Sequence, residues 1–252
     1  MKTKIFTTVI ILLFVNPLYS QTDSLFNFIF KTGNDLKKEL SKFTELSDEK
    51  EMEYGDKIAK EYNKNLTFSS YKQSKVNSIG AALLQNVSRK KIEYKFKVID
   101  SDVVNAFSIA GGNIYITTGM LNFVKSDEEL AFVIGHEIGH VDKKHCMQMV
   151  QYAALANDVG GSDAEYYAQI AYTIANTPFN KYQEYEADEA GAYLCFYGSY
   201  NPSAGIDFFE RLSKESGEEK EKRDTFSDIL RTHPYSKDRS EHLLDYINNN
   251  LK

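Results

Sequence analysis

The sequence predicts an α+β fold, a single mostly helical domain with a small β-sheet. Two observations lead to this prediction. Helical patterns fill residues 21–90 and most of the chain after residue 126, whereas alternation of apolar and polar residues is confined to a short stretch between them. The chain of 252 residues is also long enough to bury a sizeable core.

The N-terminus has the pattern of a secretory signal peptide. Two lysines precede an apolar run from Ile5 to Val15, and Pro17 and the small Ser20 follow. The run is too short to span a bilayer core of about 30 Å as a helix. We expect cleavage after Ser20, which leaves one domain at 21–252.

Composition restricts the partners of this domain. The formal net charge is −6, which argues against nucleic acid or an anionic membrane surface as the main partner. No later stretch approaches the ~18 consecutive apolar residues of a membrane span, so we expect no transmembrane anchor after signal cleavage. The sequence therefore predicts an exported protein. We expect it in the periplasm, with secretion as the alternative.

Two strands are predicted in the middle of the chain. Residues 21–52 are predicted to form an N-terminal helical extension, and a further helical pattern ends near residue 90. Alternation in "IEYKFKVID" (92–100) then predicts a half-buried strand, and "GGNIYITTG" (111–119) predicts a second one. The connector "SDVVNAFSIA" (101–110) is too apolar for an ordinary solvated loop.

Helices dominate the rest of the chain. Ser126 and Glu129 form a capping-box pattern that places a helix start near residue 126. Another helix is predicted across 163–175, and one that follows Asn180 should end near Gly198. The segment "GEEKEKRDTF" (217–226) is predicted to be a charged loop, and a last helix should follow it.

The helix after Ser126 carries a pattern typical of metal sites. His136 and His140 are four residues apart, so they lie ~40° apart on one face and can bind one Zn²⁺ at ~2.0–2.1 Å. Glu137 projects ~100° away from His136 and can serve as a general base for an attacking water. The alternative is two polar residues on an amphipathic helix. That helix is apolar nearly all round, and a buried imidazole pair needs partners or a metal.

A third ligand is predicted in "EYEADEAG". Glu184 and Asp188 are again four residues apart on a helix. Glu184 can bind zinc, and Asp188 can accept a hydrogen bond from the free nitrogen of a ligand histidine. The alternative is a solvated acidic face. Gly135 and Gly139 in the histidine helix suggest that another backbone packs closely there.

The two motifs together resemble those of a known family. "HEIGH", followed some forty residues later by "EYEAD", is similar to the zinc metallopeptidase family of the CAAX prenyl protease and the heat-shock protease HtpX. "VVNAFSIAGGNIYITTGML", "RTHPYSKDR" and "EYGDKIAKEYNKNL" resemble further family segments, so the resemblance covers roughly residues 53–245. Without membrane spans, the chain looks more like the soluble periplasmic branch, which includes the β-barrel-assembly-enhancing protease. One departure is Asn180-Lys181, where the family usually has serine-arginine.

The resemblance implies a gluzincin-type metallopeptidase domain in which an edge strand flanks the zinc helix. It implies one Zn²⁺ per chain, bound by His136, His140 and Glu184. Glu137 is then the general base, and Asp188 supports a ligand histidine. These are the five residues that the spacing had already singled out.

Further residues are assigned with alternatives left open. His233 is a fourth ligand that holds the enzyme latent, an oxyanion donor, or a turn histidine before Pro234. Substrate is expected to pair as an added strand with the segment 113–118, which includes Asn113, Ile114, Tyr115 and Ile116. His145 and His242 are expected at the surface. Cys146 and Cys195 are expected as free buried thiols, with a disulfide as the alternative.

The function expected from these features is an exported zinc endopeptidase whose substrates are unfolded or misassembled exported proteins. The alternative from another class is a zinc-binding chaperone or quality-control module with little or no hydrolysis. The intact Glu137 favours the enzyme, because a binding module does not need that base. Another zinc hydrolase, such as an amidase of cell-wall peptides, is a third possibility.

Overall fold

The protein is described here from a computed structural model that covers residues 47–156, 163–218, 220–234 and 236–251. The predicted signal peptide and most of the predicted N-terminal extension lie outside these residues. Among the residues covered, no helix is both long enough and apolar enough to cross a bilayer.

The described part of the chain is mostly helical with one small sheet, as the sequence predicts. The strands are β1 (Lys95–Ile99), β2 (Ala106–Ile109) and β3 (Asn113–Thr117). The helices are α1 (Asp48–Tyr62), α2 (Gln73–Leu83), α3 (Thr118–Phe123), α4 (Asp127–Asp142), α5 (His145–Ala156), α6 (Asp163–Asn176), α7 (Lys181–Tyr197), α8 (Ala204–Glu218), α9 (Lys220–Thr232) and α10 (Ser236–Asn250).

The two helices that carry the predicted metal ligands begin where the sequence predicts, and α7 also ends where it predicts. Ser126 caps α4, and its side chain accepts a hydrogen bond from the backbone N–H of Glu129. Asn180 caps α7 and forms a reciprocal capping box with Gln183. Gly198 follows the last residue of α7. Local capping chemistry therefore fixes the start of both ligand-bearing helices.

The predicted charged loop at 217–226 is wrong, because α8 runs to Glu218 and α9 begins at Lys220. Glu, Lys and Arg are good helix formers. Phe226 and Ile229, three residues apart, are both buried and give α9 an apolar side. Most of the charged run therefore lies within helices rather than in a loop.

The sheet has the strand order β1-β3-β2. β1 pairs with β3 in parallel, with Lys95 opposite Asn113, and β2 pairs with β3 antiparallel, with Ala106 opposite Ile116. β2 lies within the predicted apolar connector. Its four residues are too few for an alternation pattern to show.

The prediction that substrate pairs with residues 113–116 is wrong, because β3 is the central strand. Both of its edges are already paired, and all five of its residues are buried. The outer edge of β1 is partly covered, since Phe68 bridges to Ile99 and Ser69 N–H donates to the carbonyl of Val98 at 2.9 Å. β2 is the other edge strand, and it lies against α4.

The sheet separates two apolar clusters. Successive side chains of a strand point to opposite faces, so Ile114 and Ile116 join one cluster and Tyr115 joins the other. The first cluster includes Ile134 and Ile138 of α4. The histidine helix is therefore buried in the larger core, which restricts its movement.

Helices α4 and α7 meet backbone to backbone, as the glycines of α4 suggested. A Cβ atom built on Gly135 would lie 3.1 Å from the Cα of Gly191, and one built on Gly191 would lie 3.0 Å from the backbone nitrogen of His136. A Cβ on Gly139 would lie 3.0 Å from the carbonyl oxygen of Ala187. This contact brings the predicted ligands of α4 and α7 together.

Candidate metal centre

Four buried side chains from three parts of the fold direct their donor atoms to one point. His136 and His140 come from α4, Glu184 from α7, and His233 from the connection between α9 and α10. One nitrogen or oxygen atom of each lies within 4.8 Å of those of the others. All four residues are at most 5% exposed. The structure thus groups the three predicted ligands with the histidine considered as a fourth.

The separations between these donor atoms fit a small tetrahedral ion. Tetrahedral ligands at ~2.0–2.1 Å from zinc lie ~3.3 Å from one another. Nε2 of His136 is 3.0 Å from Nε2 of His140 and 3.3 Å from Nδ1 of His233. Oε1 of Glu184 is 3.4 Å from Nε2 of His140 and 3.0 Å from Nδ1 of His233. Imidazole nitrogens and a carboxylate are zinc donors, so the four residues fit one Zn²⁺.

Two charged residues support the donors from behind. Oδ1 of Asp188 lies 2.9 Å from Nδ1 of His136, the position expected for a carboxylate that accepts from a ligand histidine. Arg239 donates to both oxygens of Asp188, at 2.8 and 2.6 Å, and its Nη1 lies 2.6 Å from Oε2 of Glu184. Burial raises the pKa of Glu184, but Arg239 and His233 outweigh it and hold that pKa well below its ordinary value. Glu184 is therefore an ionised carboxylate, as a ligand must be.

Sequence reasoning did not give Arg239 a role. It appeared only as a residue within a segment that resembles the family. The structure shows it 2% exposed between two carboxylates. In the sequence, Arg239 is marked only by its position six residues after His233. That spacing does not reveal that Arg239 contacts two carboxylates of α7.

The second ligand of α4 has a different support. Nδ1 of His140 lies 3.1 Å from Nδ1 of His145, whose Nε2 lies 3.1 Å from Oε2 of Glu186. The ring of Phe179 stacks on His140 with 3.8 Å between centroids and 19° between planes. The prediction that His145 is a surface residue is therefore wrong, since it is 2% exposed. That prediction assumed a continuous helix, but α4 ends at Asp142.

Glu137, the predicted general base, is buried beside the donors. Ser108 of β2 donates from Oγ to Oε2 of Glu137 at 2.9 Å. Nε2 of His233 lies 3.5 Å from Oε1 of Glu137, and this nitrogen is buried without a hydrogen-bond partner in the described structure. Burial lowers the pKa of His233, but Glu184 and Glu137 outweigh it and raise that pKa. Ser108 was not predicted, because nothing in its connector indicated that β2 would face the histidine helix.

A cleft of about 410 Å³ reaches this group at His233 and is lined in part by Asn105, Phe107 and Ser108. Helices α6 and α9 contribute further lining residues. His233 is part of the wall, whereas the other three donors are not. In this conformation the His233 ring stands between the cleft and the remaining donor atoms.

Other residues singled out in the sequence lie away from the donors. Cys146 and Cys195 are free and buried, so they do not form a disulfide with each other. His242 is only partly buried and lies 2.8 Å from Oε1 of Glu189. Lys181, which stands where the resembling family usually has arginine, pairs with Asp238 of α10 at 2.9 Å. That pair joins the start of α7 to α10.

Comparisons with known proteins agree with this geometry. The family model described as Peptidase family M48 matches residues 70–247. The chain is 28% identical over 215 residues to metalloprotease LoiP of Escherichia coli, covering 79% of this chain and 81% of LoiP. It is 32% identical over 162 residues to the mitochondrial metalloendopeptidase OMA1 of Arabidopsis thaliana, covering 60% of this chain and 31% of that protein.

A third relative is the beta-barrel assembly-enhancing protease of Escherichia coli, 28% identical over 181 residues. The match covers 65% of this chain and 36% of that protease. The chain thus spans about a third of the length of two of these three relatives.

Proposed function

The chain belongs to peptidase family M48, a family of zinc metallopeptidases, and from this premise we propose that it is an exported zinc endopeptidase. Its proposed reaction is hydrolysis of peptide bonds in unfolded or misassembled proteins. The observation that carries the proposal is the buried group of His136, His140, Glu184 and His233 with Glu137 beside it. His136, His140 and Glu184 supply the three protein ligands of a catalytic zinc site, and the Glu137 carboxylate beside them is not one of these donors, an arrangement that suits hydrolysis.

Zinc held by these residues supplies Lewis acidity, which polarises a carbonyl group and makes water a stronger acid. Glu137 is proposed to take the proton of the attacking water and to deliver it to the leaving amine. Ser108 holds one carboxylate oxygen of Glu137 by its hydrogen bond, so the other oxygen faces the cleft side near His233. Asp188 and Arg239 keep His136 and Glu184 in position throughout.

Substrate backbone is proposed to pair with β2 rather than with β3. The backbone N–H of Thr117 donates to the carbonyl of Asn105, and in an antiparallel pair such contacts recur at every second residue. The backbone groups of Ala106 and Ser108 therefore face away from β3, and Ser108 is one of the residues that line the cleft. An extended peptide can add to this edge, which requires an unfolded or extended segment of substrate.

His233 is proposed to hold the enzyme in a latent state. With it in place, four protein atoms complete a tetrahedron and leave no position for a substrate carbonyl. Displacing its ring into the cleft would open one position and expose Glu137. In the competing role, His233 donates a hydrogen bond to the developing oxyanion, and this role also requires the histidine to be at the site.

The same closed donor set favours a second candidate function. Structural zinc sites have four protein ligands and no open position, so a zinc-binding chaperone with little hydrolysis would also have this arrangement. The buried Glu137, held by Ser108 without being a donor to the metal, favours the peptidase.

Export is proposed from residues 1–20. Its test is the N-terminal sequence of the protein recovered from the outer compartments of the producing cell, which should start at Gln21. A chain recovered with Met1 intact, in the cytoplasmic fraction, would exclude the signal peptide. The proposed substrates are other exported polypeptides, and the periplasm is the proposed compartment.

The experiment for the activity is a time course of casein cleavage by purified residues 21–252 loaded with one zinc per chain. It compares wild type, Glu137→Gln, His233→Ala and the double variant. Cleavage by either Glu137-containing protein, and by neither Glu137→Gln protein, supports the peptidase. No cleavage by any of the four, with zinc bound, would favour the binding module instead.

A further inference from the structure

We propose that His145 is a positioning residue of the metal site, which fixes the tautomer and orientation of His140 through a hydrogen-bonded relay ending at Glu186. The inference rests on the proposed function in one respect, namely that Nε2 of His140 binds zinc. No sequence motif pointed to this relay, and His145 plays no part in the proposed reaction.

The relay follows from which nitrogens carry protons. When Nε2 of His140 binds a metal, its Nδ1 carries a hydrogen and needs an acceptor. Nδ1 of His140 makes a hydrogen-bond contact of 3.1 Å with Nδ1 of His145, which accepts only as the unprotonated nitrogen of a neutral ring. The proton of His145 must then be on Nε2, which faces Oε2 of Glu186 at 3.1 Å. Glu186 therefore sets the tautomer of His145, and His145 in turn sets the tautomer of His140.

Burial makes this arrangement selective. His140 is fully buried and His145 is 2% exposed, so water cannot replace the contact between them. The Glu186 side chain is 56% exposed, and it links the relay to the protein surface. Phe179 stacks on the face of His140, so the ring cannot tilt out of its plane to find another partner for Nδ1 when the hydrogen bond to His145 is lost.

The backbone places His145 for this contact. α4 ends at Asp142, and Lys144 then adopts φ 64°, a left-handed backbone conformation that residues other than glycine rarely take. α5 starts at the next residue, and the carbonyl of Lys144 accepts from the backbone N–H of Gln148 at 3.0 Å. This turn brings the ring of His145 back to α4 and close to α7.

The structure also contains a natural control. His242 of α10 lies 2.8 Å from Glu189 of α7, so it too pairs with a carboxylate of the ligand helix. Its ring stacks on Tyr185 at 4.0 Å. Neither Glu189 nor Tyr185 is one of the four donors, so the loss of His242 should leave zinc binding unchanged.

The test measures the zinc dissociation constant by competition with a chelator, together with the melting temperature of the metal-free proteins. His145→Leu removes the acceptor at similar volume and should weaken zinc binding by about 10–100-fold. His145→Asn keeps an oxygen near the position of Nδ1 and should lose less than about tenfold. His242→Leu should bind zinc as wild type does.

A further variant guards against a folding defect. His145→Gln stays polar but moves its amide toward the position of Nε2, so it should weaken zinc binding more than His145→Asn does. This comparison remains informative even if His145→Leu does not fold. Equal zinc affinity of wild type and His145→Gln, or equal losses in the Asn and Gln variants, would overturn the relay. Failure of wild type itself to bind zinc would instead overturn the proposed function, so the two failures are distinguishable.

Discussion

Replacing His233 by alanine should activate the enzyme. In the structure this histidine lies in the wall of the cleft, and its Nδ1 occupies one corner of the donor tetrahedron, 3.0 Å from Glu184. Alanine removes the ring without touching the three other donors or Glu137. The freed position then becomes available to substrate.

The size of the effect can be worked from the contacts that hold the ring. A buried hydrogen bond to a charged group contributes about 1.5–3 kcal/mol. With Nδ1 on zinc, the N–H of His233 is on Nε2, which faces Oε1 of Glu137 at 3.5 Å and provides one such contact. A closed state favoured by that amount leaves between about one molecule in ten and one in 150 open. Cleavage by His233→Ala should therefore rise by about 10–150-fold over wild type. An oxyanion donor, in contrast, would cost about 10²–10³ in kcat when it is removed.

The assay is casein cleavage by residues 21–252, with zinc content measured on each sample so that only proteins with one zinc per chain are compared. His242→Ala is the matched control, because it removes a histidine that neighbours α7 but lies outside the donor set. Unchanged cleavage by zinc-loaded His233→Ala would refute the latch. A loss of two or more orders of magnitude would refute it as well and would assign the oxyanion role.

Three further predictions follow from the same geometry. Ser108→Ala removes the hydrogen bond to Glu137 and should lower kcat about tenfold with little change in KM, so an unaltered kcat would show that Glu137 needs no such support. Ala106→Pro removes an N–H from the edge of β2 that is not paired with β3 and should raise KM for peptides by about 2–10-fold. Phe107→Pro instead breaks the pairing with β3 and should unfold the domain, so equal effects of the two variants would contradict the β2 assignment. Zinc present at about a thousand times its dissociation constant stabilises the folded state by about 4 kcal/mol, and a chelator removes that stabilisation. For a domain of this size the melting temperature should then fall by about 8–16 °C. A melting temperature that does not respond to chelator would contradict a zinc site in the folded state.

Local signals predicted the parts of this site that lie within single helices. The spacing of His136 and His140, and the spacing of Glu184 and Asp188, each follow from 3.6 residues per turn. Capping residues fixed where the two helices begin. The glycines of α4 correctly predicted the close approach of another backbone. Glycine destabilises a helix interior, and a closely packed partner offsets that cost.

What the sequence could not supply depends on contacts between distant segments. The order of the strands decides which one is an edge, and neither the alternation nor the glycine pair of residues 111–119 contains that information. Ser108 faces Glu137 only because β2 packs on α4. The placement of His145 depends on the left-handed backbone conformation of Lys144, which cannot be predicted from the residue type.

The backbone contact between α4 and α7 has a consequence for the choice of ion. Gly135 and Gly191 touch without intervening side chains, so the two ligand helices cannot approach further, and burial on both sides resists their separation. The backbone separation of the two helices is thus nearly fixed, and Asp188 and Arg239 hold the side chains of His136 and Glu184 across it. Such a rigid aperture suits ions with bonds near 2.0–2.1 Å to nitrogen and excludes Ca²⁺, which requires six to eight oxygens at about 2.3–2.6 Å. Discrimination among metals is in this way built into the distance between two helix axes rather than into the chemistry of the donors alone.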